Sequence, residues 1–507
     1  MTSYDLNRDT RVAVIGAGSM GAGIAQLAAQ AGHAVQLHDA QPGAAARGLE
    51  RIAADLDVAV RKGKLQSDER AAVLGRIRIA ERIEELEGAG LAVEAIIEKA
   101  EAKQALFRAL EAVLSPRAVF ATNTSSISVT AVAQGLKHPQ RLIGLHFFNP
   151  ATRMKLVEII RGVQTDAALV PAMHALSKAW GKTSVDAPNA PGFIVNRVAR
   201  PYYAEGLRLL GERIAEVPAI DRLLREAGGF AMGPFELMDL IGVEVNLSVT
   251  ESVFQATAYD PRYAPSVIQQ ELARSGRYGR KSGRGFYAYA PDAPAPQVAF
   301  VEPAASQPRL AQAQQMGLLE PLVQRLQAAG LSVEIDAALP AESFAVNGAR
   351  VALTDGRTAT QRAYEDSTPM LLLDLARDYA SATTLGVAAC AGEEGRLADL
   401  AAALKPAGIS LIALADVAGL VVMRSVCCLA NEAADVMSWS GARAKDIDVA
   451  MVLGTAYPMG PLAWADAIGP SRVRGVLVNL QAHYGEVRYR CAPALSRVHF
   501  SKGRFHG

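Results

Sequence analysis

His146 stands in "GLHFFNP" (144–150), and Glu158 follows it in "KLVEII". An imidazole is suited to take a proton near pH 7, and a carboxylate beside it fixes its tautomer and stabilises the charge it gains. Alone in an apolar run, such a histidine reads as a core residue with a satisfied hydrogen bond. Further candidates surround it in the chain. Asn123 and Ser125 stand in "TNTSSIS", Asn149 closes the histidine's own segment, and Glu98 is read as the end of the strand in "LAVEAIIEKAEAK", with Lys103 on the helix beyond.

These groups work together only if the fold gathers them. Residues 11–40, "RVAVIGAGSMGAGIAQLAAQAGHAVQLHDA", read as a strand, a Gly-rich turn, a helix stopped at Gly32, and a second strand ending in Asp39. Glycines allow a sharp turn and close approach of a pyrophosphate, which sits on the helix N-terminus where free N–H groups and the dipole favour anions. A carboxylate at Asp39 accepts ribose hydroxyls and repels a 2′-phosphate, so NAD is favoured over NADP, and a nicotinamide over a flavin. In an open parallel sheet, ligands bind at the carboxyl ends of the strands. That rule sends Glu98, Asn123, Ser125, His146 and Asn149 to one crevice. The chemistry is then oxidation of an alcohol, in which a base takes the hydroxyl proton while the nicotinamide takes a hydride.

The segments "VIGAGSMGAGIA", "VEAIIE", "NTSSIS", "GLHFFNP", "MKLVEII", "PGFIVNR", "MGPFELMDLIG" and "GRKSGRGFY" occur in the order found in 3-hydroxyacyl-CoA dehydrogenases. The chain resembles that family over roughly residues 10 to 290. The resemblance implies His146 as the base, Glu158 as its partner, and Ser125 and Asn196 near the substrate oxygen and the base. It implies NAD contacts from Gly16, Ala17, Gly18, Ser19, Met20 and Gly21, and from Asp39, Glu98, Lys103, Asn149 and Lys281. Lys62 matches a position that meets coenzyme A phosphates, while a Ser of the family is replaced by Asp55 beside it. "VRKGK" also reads as a solvated, dipole-matched helix end. A non-catalytic, crystallin-like protein on the same scaffold is the alternative. A lysine-dependent β-hydroxyacid dehydrogenase is disfavoured because "PGFIVNR" has no Lys at the turn where that chemistry needs one.

"PGFIVNR…MGPFELMDLIG" returns as "AGLVVMR…MGPLAWADAIG" at a shift of 227 residues, so a helical module is duplicated. In the second copy Met423 replaces Asn196, and the "GRKSGRGFY" tail is read as missing. Two such modules suit packing about an internal pseudo-twofold, as in a dimer interface; a homo-oligomer is left open. Chains with this duplication resemble bacterial 3-hydroxybutyryl-CoA and 3-hydroxyadipyl-CoA dehydrogenases, the latter of phenylacetate catabolism.

The expected organisation is a Rossmann-type α/β nucleotide domain (1–188), an all-α substrate domain with Asn196 (189–289), a Pro/Ala-rich linker (290–308), a small α/β domain (309–415) and a second all-α domain (416–507). Within the small domain a helix is predicted from Leu310 to Gly330. At 507 residues, several domains are required. A formal charge of +1 without a basic stripe speaks against nucleic acid. Four cysteines match no metal spacing, and the longest apolar run, 408–423, contains Asp416. No metal, no membrane and a cytoplasmic location are therefore expected, with a small acyl-CoA as partner. The start "MTSYDLNRDT" shows no secretory leader, and the first strand beginning at Arg11 suggests one activity rather than a preceding hydratase region.

Overall fold

A computed structural model describes residues 4–305 and 308–507. The start of the chain and the 290–308 linker both include residues outside those ranges. By internal contacts the chain forms two units, residues up to 197 together with 445–455, and residues 198–444 together with 456–507.

In the first unit β1 (Val12–Ile15), β2 (Val35–His38), β3 (Ile77–Ala80), β4 (Leu91–Glu94), β5 (Val119–Thr122), β6 (Leu142–Phe147), β7 (Leu156–Ile160) and β8 (Thr183–Ala187) form one sheet. Its order is β3-β2-β1-β4-β5-β6-β7-β8. The pairings from β3 to β6 are all parallel; β7 runs antiparallel to β6, and β8 parallel to β7. This is the expected Rossmann-type sheet, with its strand order reversing between β1 and β4. Every residue of β1, β4, β5 and β6 is buried, as central strands covered on both faces must be. Ile24, Leu27 and Ala28 of helix Ser19–Gln30 share one core with Val12, Val14 and Val93.

The second unit begins with helices Arg200–Gly211, Val217–Glu226, Pro234–Ile241, Val243–Ala256 and Val267–Arg274. After a small sheet, helices Val422–Ser440, Pro461–Ile468, Pro470–Tyr484 and Pro493–Phe500 repeat the pattern. Pro234–Ile241 lands on Pro461–Ile468 at the shift read from the sequence. The two copies exchange equivalent contacts, as an isologous interface does. The Tyr263 hydroxyl donates to Glu432, and the Tyr489 hydroxyl to Glu205. Arg262 pairs with Glu432 at 3.6 Å and Arg488 with Glu205 at 3.9 Å. Buried Arg424 meets Glu205 at 2.7 Å.

Two expectations are corrected. The second module keeps an abridged tail: Asp466 accepts the N–H groups of Phe505 and His506, as Asp239 accepts those of Phe286 and Tyr287. In the first copy Gly279 and Gly285 are packing requirements, since Cβ atoms there would lie 2.2 Å from Asp239 O and 2.0 Å from Asp239 Oδ1, whereas a Cβ on Gly283 would meet nothing within 4 Å. The helix predicted from Leu310 to Gly330 is only Glu320–Ala328, because Leu310–Gln312 pairs as a strand and Gly317, at φ +51°, breaks the chain direction.

That strand is β9 (Leu310–Gln312). With β10 (Val333–Ile335), β11 (Ser343–Val346), β12 (Ala349–Leu353), β13 (Met370–Leu373), β14 (Thr384–Ala389) and β15 (Ser410–Ala413) it forms a mixed sheet ordered β10-β9-β11-β12-β13-β14-β15. The linker is tied to it through the Val301 N–H, which donates to Leu411 O.

Candidate active site

The turn after β1 tests whether a dinucleotide fits. Gly16 has φ +98°, and a Cβ there would lie 2.4 Å from Ala95 O; a Cβ on Gly21 would lie 1.7 Å from Gly16 O. Those two glycines are demanded by packing. Gly18 is not: it is the N-cap of helix Ser19–Gln30 with φ −64°, and a Cβ on it would meet nothing within 4 Å. The space it leaves, over free first-turn N–H groups, suits a phosphate. Asp39 Oδ2 accepts the Ala17 N–H at 2.7 Å, which sets the carboxylate against the same turn.

Glu98 lies in the loop beyond β4 and not at its end. The strand stops at Glu94 because its pairing with β1 and β5 stops there. Glu94 was missed by sequence reading; it is fully buried and takes Lys103 Nζ at 2.5 Å and the Thr122 hydroxyl at 2.6 Å. Lys103 is 1% exposed and also meets Glu98 at 3.1 Å. Glu98 accepts the Thr124 hydroxyl (2.7 Å), the Ser125 N–H (2.8 Å) and the Ser126 N–H (3.0 Å), and the Ser125 hydroxyl lies 3.3 Å away. Burial works to raise this carboxyl, but the Lys103 charge and these donors outweigh it and hold it down at about 2. A carboxyl whose folded value lies below its unfolded one stabilises the fold above the unfolded value and loses that contribution as pH falls toward the folded one. Glu98→Gln is therefore expected to melt lower than wild type at pH 7. The gap should begin to close as pH drops below about 4.5; thermal scans showing a constant gap between neutral pH and pH 3.5 (roughly one unit below the unfolded value) would refute this.

Asn123 spends its carbonyl oxygen on the Phe147 N–H at 2.8 Å, tying β5 to β6. Asn149 is exposed just past β6. Lys281 belongs to the second unit, where it pairs with Glu244.

His146 and Glu158 are brought together by register. In the antiparallel β6–β7 pair they stand directly opposite, which puts their side chains on one face within reach. His146 Nδ1 lies 2.7 Å from Glu158 Oε2; the two residues are 5% and 0% exposed. The rings of Phe148 and Phe193 flank the imidazole at 4.5 and 5.7 Å. Glu158 Oε1 accepts the N–H groups of Ile194 and Val195, each at 3.0 Å. Those donors follow a turn in which Gly192 and Phe193 are both left-handed, and they open helix Val195–Val198, which carries half-buried Asn196. With Nδ1 turned to this carboxylate, Nε2 is the ring nitrogen that faces away from it.

Behind this pair packs a segment of the second module. A Cβ on Gly454 would lie 2.9 Å from Leu156 Cδ2 and 3.0 Å from Val195 Cγ2, so a side chain there would have to displace those two residues. Elsewhere in the unit, Lys62 lines a groove of about 390 Å³ with Lys64, Arg153, Asp55 and Gln26. Gln26 donates to Asp55 at 3.0 Å. Lys64 and Arg153 were not singled out from the sequence, where nothing links residue 153 to residue 62.

Residues 11–190 match the NAD binding domain of 3-hydroxyacyl-CoA dehydrogenase. Residues 192–289, and again 419–506, match the C-terminal domain of that family. The chain is 41% identical to the 3-hydroxyadipyl-CoA dehydrogenase of Escherichia coli (strain K12), over 94% of this chain and 95% of that one. The chain belongs to the 3-hydroxyacyl-CoA dehydrogenase family. It is an oxidoreductase of the NAD-dependent kind. A crystal structure of a 3-hydroxybutyryl-CoA dehydrogenase from E. coli K12 superposes with a TM-score of 0.89 at 39% identity, covering 98% of this chain and 99% of that one. The probable 3-hydroxybutyryl-CoA dehydrogenase of Bacillus subtilis is 40% identical but spans 55% of this chain, with 97% of its own length covered. Residues 351–417 match the 3-hydroxybutyryl-CoA dehydrogenase reduced Rossmann-fold domain.

That reduced domain repeats the geometry of the site with other residues. β12 to β15 pair parallel, antiparallel and parallel, as β5 to β8 do. Asp374, directly after β13, donates its N–H to Gly386 O on β14 at 2.9 Å, so Asp374 and Gly386 hold the places of His146 and Glu158. The Asp374 carboxylate takes the N–H groups of Val421 (3.0 Å), Val422 (2.8 Å) and Met423 (3.0 Å). These are the counterparts of Ile194, Val195 and Asn196. Burial pushes the Asp374 carboxyl up to about 6 against the pull of those donors. The second half has kept the carboxylate that anchors the helix start and has neither the imidazole nor the amide.

Proposed function

We propose that the chain interconverts (S)-3-hydroxyacyl-CoA and 3-oxoacyl-CoA with His146 as the general base and Glu158 as its orienting carboxylate. The observation that carries this is the buried 2.7 Å contact between His146 Nδ1 and Glu158. NAD, when bound, supplies the hydride acceptor for C3. Nε2 of His146 takes the proton of the 3-hydroxyl, and Glu158 stabilises the imidazolium that forms between the two phenylalanine rings. Ser125 and Asn196 hold the substrate oxygen. In reduction the same imidazolium returns the proton.

The turn Gly16 to Gly21 and Asp39 hold the cofactor, with Glu98 and Asn149 as further contacts; Lys103 acts through Glu98. Lys62, Lys64 and Arg153 receive the coenzyme A phosphates, with Asp55 and Gln26 shaping the same groove. Four free thiols, three of them buried, fit a reducing cytoplasm. No helix among the described residues is long and apolar enough to cross a membrane.

Two relatives that span nearly the whole chain carry different substrate names, 3-hydroxyadipyl-CoA at 41% identity and 3-hydroxybutyryl-CoA at 39%; of these we take the former, of phenylacetate catabolism, as the preferred substrate. The expected result is a kcat/KM for the adipyl thioester about tenfold or more above that for the butyryl thioester, read from NADH absorbance. A higher value for the butyryl thioester would exclude the dicarboxylyl reading and leave the mechanism standing. Turnover of neither would remove both.

A further inference from the structure

We infer that Lys182 is a positioning residue for acyl-CoA: it fixes the loop that carries Arg153 into the coenzyme A groove. This rests on the assignment of that groove to the coenzyme A phosphates. Residues 148–155 join β6, with His146, to β7, with Glu158. Lys182, immediately before β8, is 8% exposed. Its Nζ donates to Ala151 O at 2.5 Å and to Met154 O at 2.7 Å. Thr152 and Arg153, which line the groove, stand between those two carbonyls.

The loop is closed from both sides. Pro150 O accepts the N–H groups of Arg153 and Met154, each at 3.0 Å. Ala151 is 2% exposed and packs on helix Ser19–Gln30, where a Cβ on Gly23 would lie 3.2 Å from its Cβ. That helix also supplies Gln26 and Gln30 to the groove. Among the described residues the Lys182 ammonium forms no ion pair with a carboxylate. A buried ammonium with only carbonyls for partners is costly to hold. Burial, and after it the charge of Lys155, bring it down to about 8. The residue it positions is free to meet a ligand: Arg153 is exposed and, among the described residues, in no ion pair.

The reduced domain shows what the fold alone asks for in this place. Gly386, which holds the place of Glu158, pairs with Ile412 as Glu158 pairs with Val185. Three residues before these partners stand Ile409 and Lys182. Their backbones are bound alike. Lys182 donates its N–H to Ser177 O and Ile409 to Leu404 O; the next N–H goes from Thr183 to Lys155 O and from Ser410 to Thr383 O. Ile409 is 4% exposed. An apolar side chain therefore satisfies the turn into this strand, and the ammonium is an addition of the half that has the groove. Hydrogen bonds from a charged donor are the stronger kind, and here they hold both ends of a short segment. An anion arriving at the groove then meets Arg153 in place, without the cost of ordering the loop on binding.

The test compares acetoacetyl-CoA with the N-acetylcysteamine thioester of the same acyl group, which has no phosphates, by NADH absorbance in the full chain. Lys182→Met, and Lys182→Ile, which copies position 409, are expected to raise KM for the CoA ester about tenfold or more. Their kcat, and their kcat/KM for the short thioester, should stay near wild type. A lysine needed only for folding, or only for the His146–Glu158 pair, would cost activity on both substrates alike, and that result would overturn the inference. Arg153→Ala separates the inference from the groove it rests on, since it should raise the same KM by itself. An effect of Arg153→Ala with none in the Lys182 variants would overturn the inference and leave the groove standing. No effect of Arg153→Ala would remove the groove reading and the inference with it.

Discussion

His146→Gln is expected to lower kcat by about 10²- to 10⁴-fold, the usual worth of a positioned general base, while NAD affinity stays near wild type. The imidazole sits where β6 ends and the glycine turn follows β1, so cofactor binding and proton removal draw on different elements of one sheet. Glutamine is close to isosteric and can still accept from a hydroxyl, but its amide cannot take a proton at neutral pH. Glu158, which lies against Nδ1, is already engaged by the backbone N–H groups of Ile194 and Val195 and does not replace the lost imidazole. Single-turnover measurements should place the loss in the chemical step, with KM little changed. Near-normal turnover in the purified variant would end the mechanism.

Glu158→Gln is expected to cost more than its small change in shape suggests, about 10³- to 10⁴-fold in kcat by analogy with the buried aspartate of hydrolase triads. Both carboxylate oxygens accept, one from His146 and one from the Ile194 and Val195 N–H groups. An amide has one acceptor atom. If its oxygen serves the backbone, its NH₂ faces Nδ1 and forces the proton onto Nε2, the nitrogen that must be empty. If the oxygen serves His146, two buried N–H groups face a donor, and each unsatisfied buried group costs about 1–3 kcal/mol. The variant should therefore lose activity, stability, or both, and NMR of the imidazole nitrogens separates the two arrangements. A variant that keeps both the wild-type tautomer and wild-type turnover would show that Glu158 plays no orienting part.

The duplication gives these predictions an internal counterpart. Asp374 keeps three backbone donors at the start of its helix where no proton acceptor remains. Anchoring the helix start thus needs no imidazole beside the acid, whereas Glu158 of the first copy contacts both the helix start and His146. Residues 445–455, which come from the second module, pack against Leu156 and Val195 through Gly454.

What the sequence by itself determined was local or periodic. The Gly-rich turn, the strand that runs up to Asp39 (it stops one residue earlier, at His38), the strand with His146 and the repeat at a shift of 227 are all legible because turns, acidic strand ends and repeats are properties of neighbouring residues or of a fixed spacing. Strand ends were less secure: in "VEAIIE" apolar residues continue past Glu94 as far as Ile97, so nothing in it shows that pairing stops at Glu94 and that Glu98 lies beyond. Leu310–Gln312 was likewise lost inside a predicted helix, since three residues carry no period of their own. Tertiary structure alone decided the rest. The His146–Glu158 contact depends on an antiparallel register, in which a slip of one residue would send the two side chains to opposite faces. The burial of Lys103 between two carboxylates, the substitution of Asp374 and Gly386 for the reactive pair, and the hold of Lys182 on residues 151–154 all join residues far apart in the chain, and sequence spacing holds no information about which strands and helices pack together.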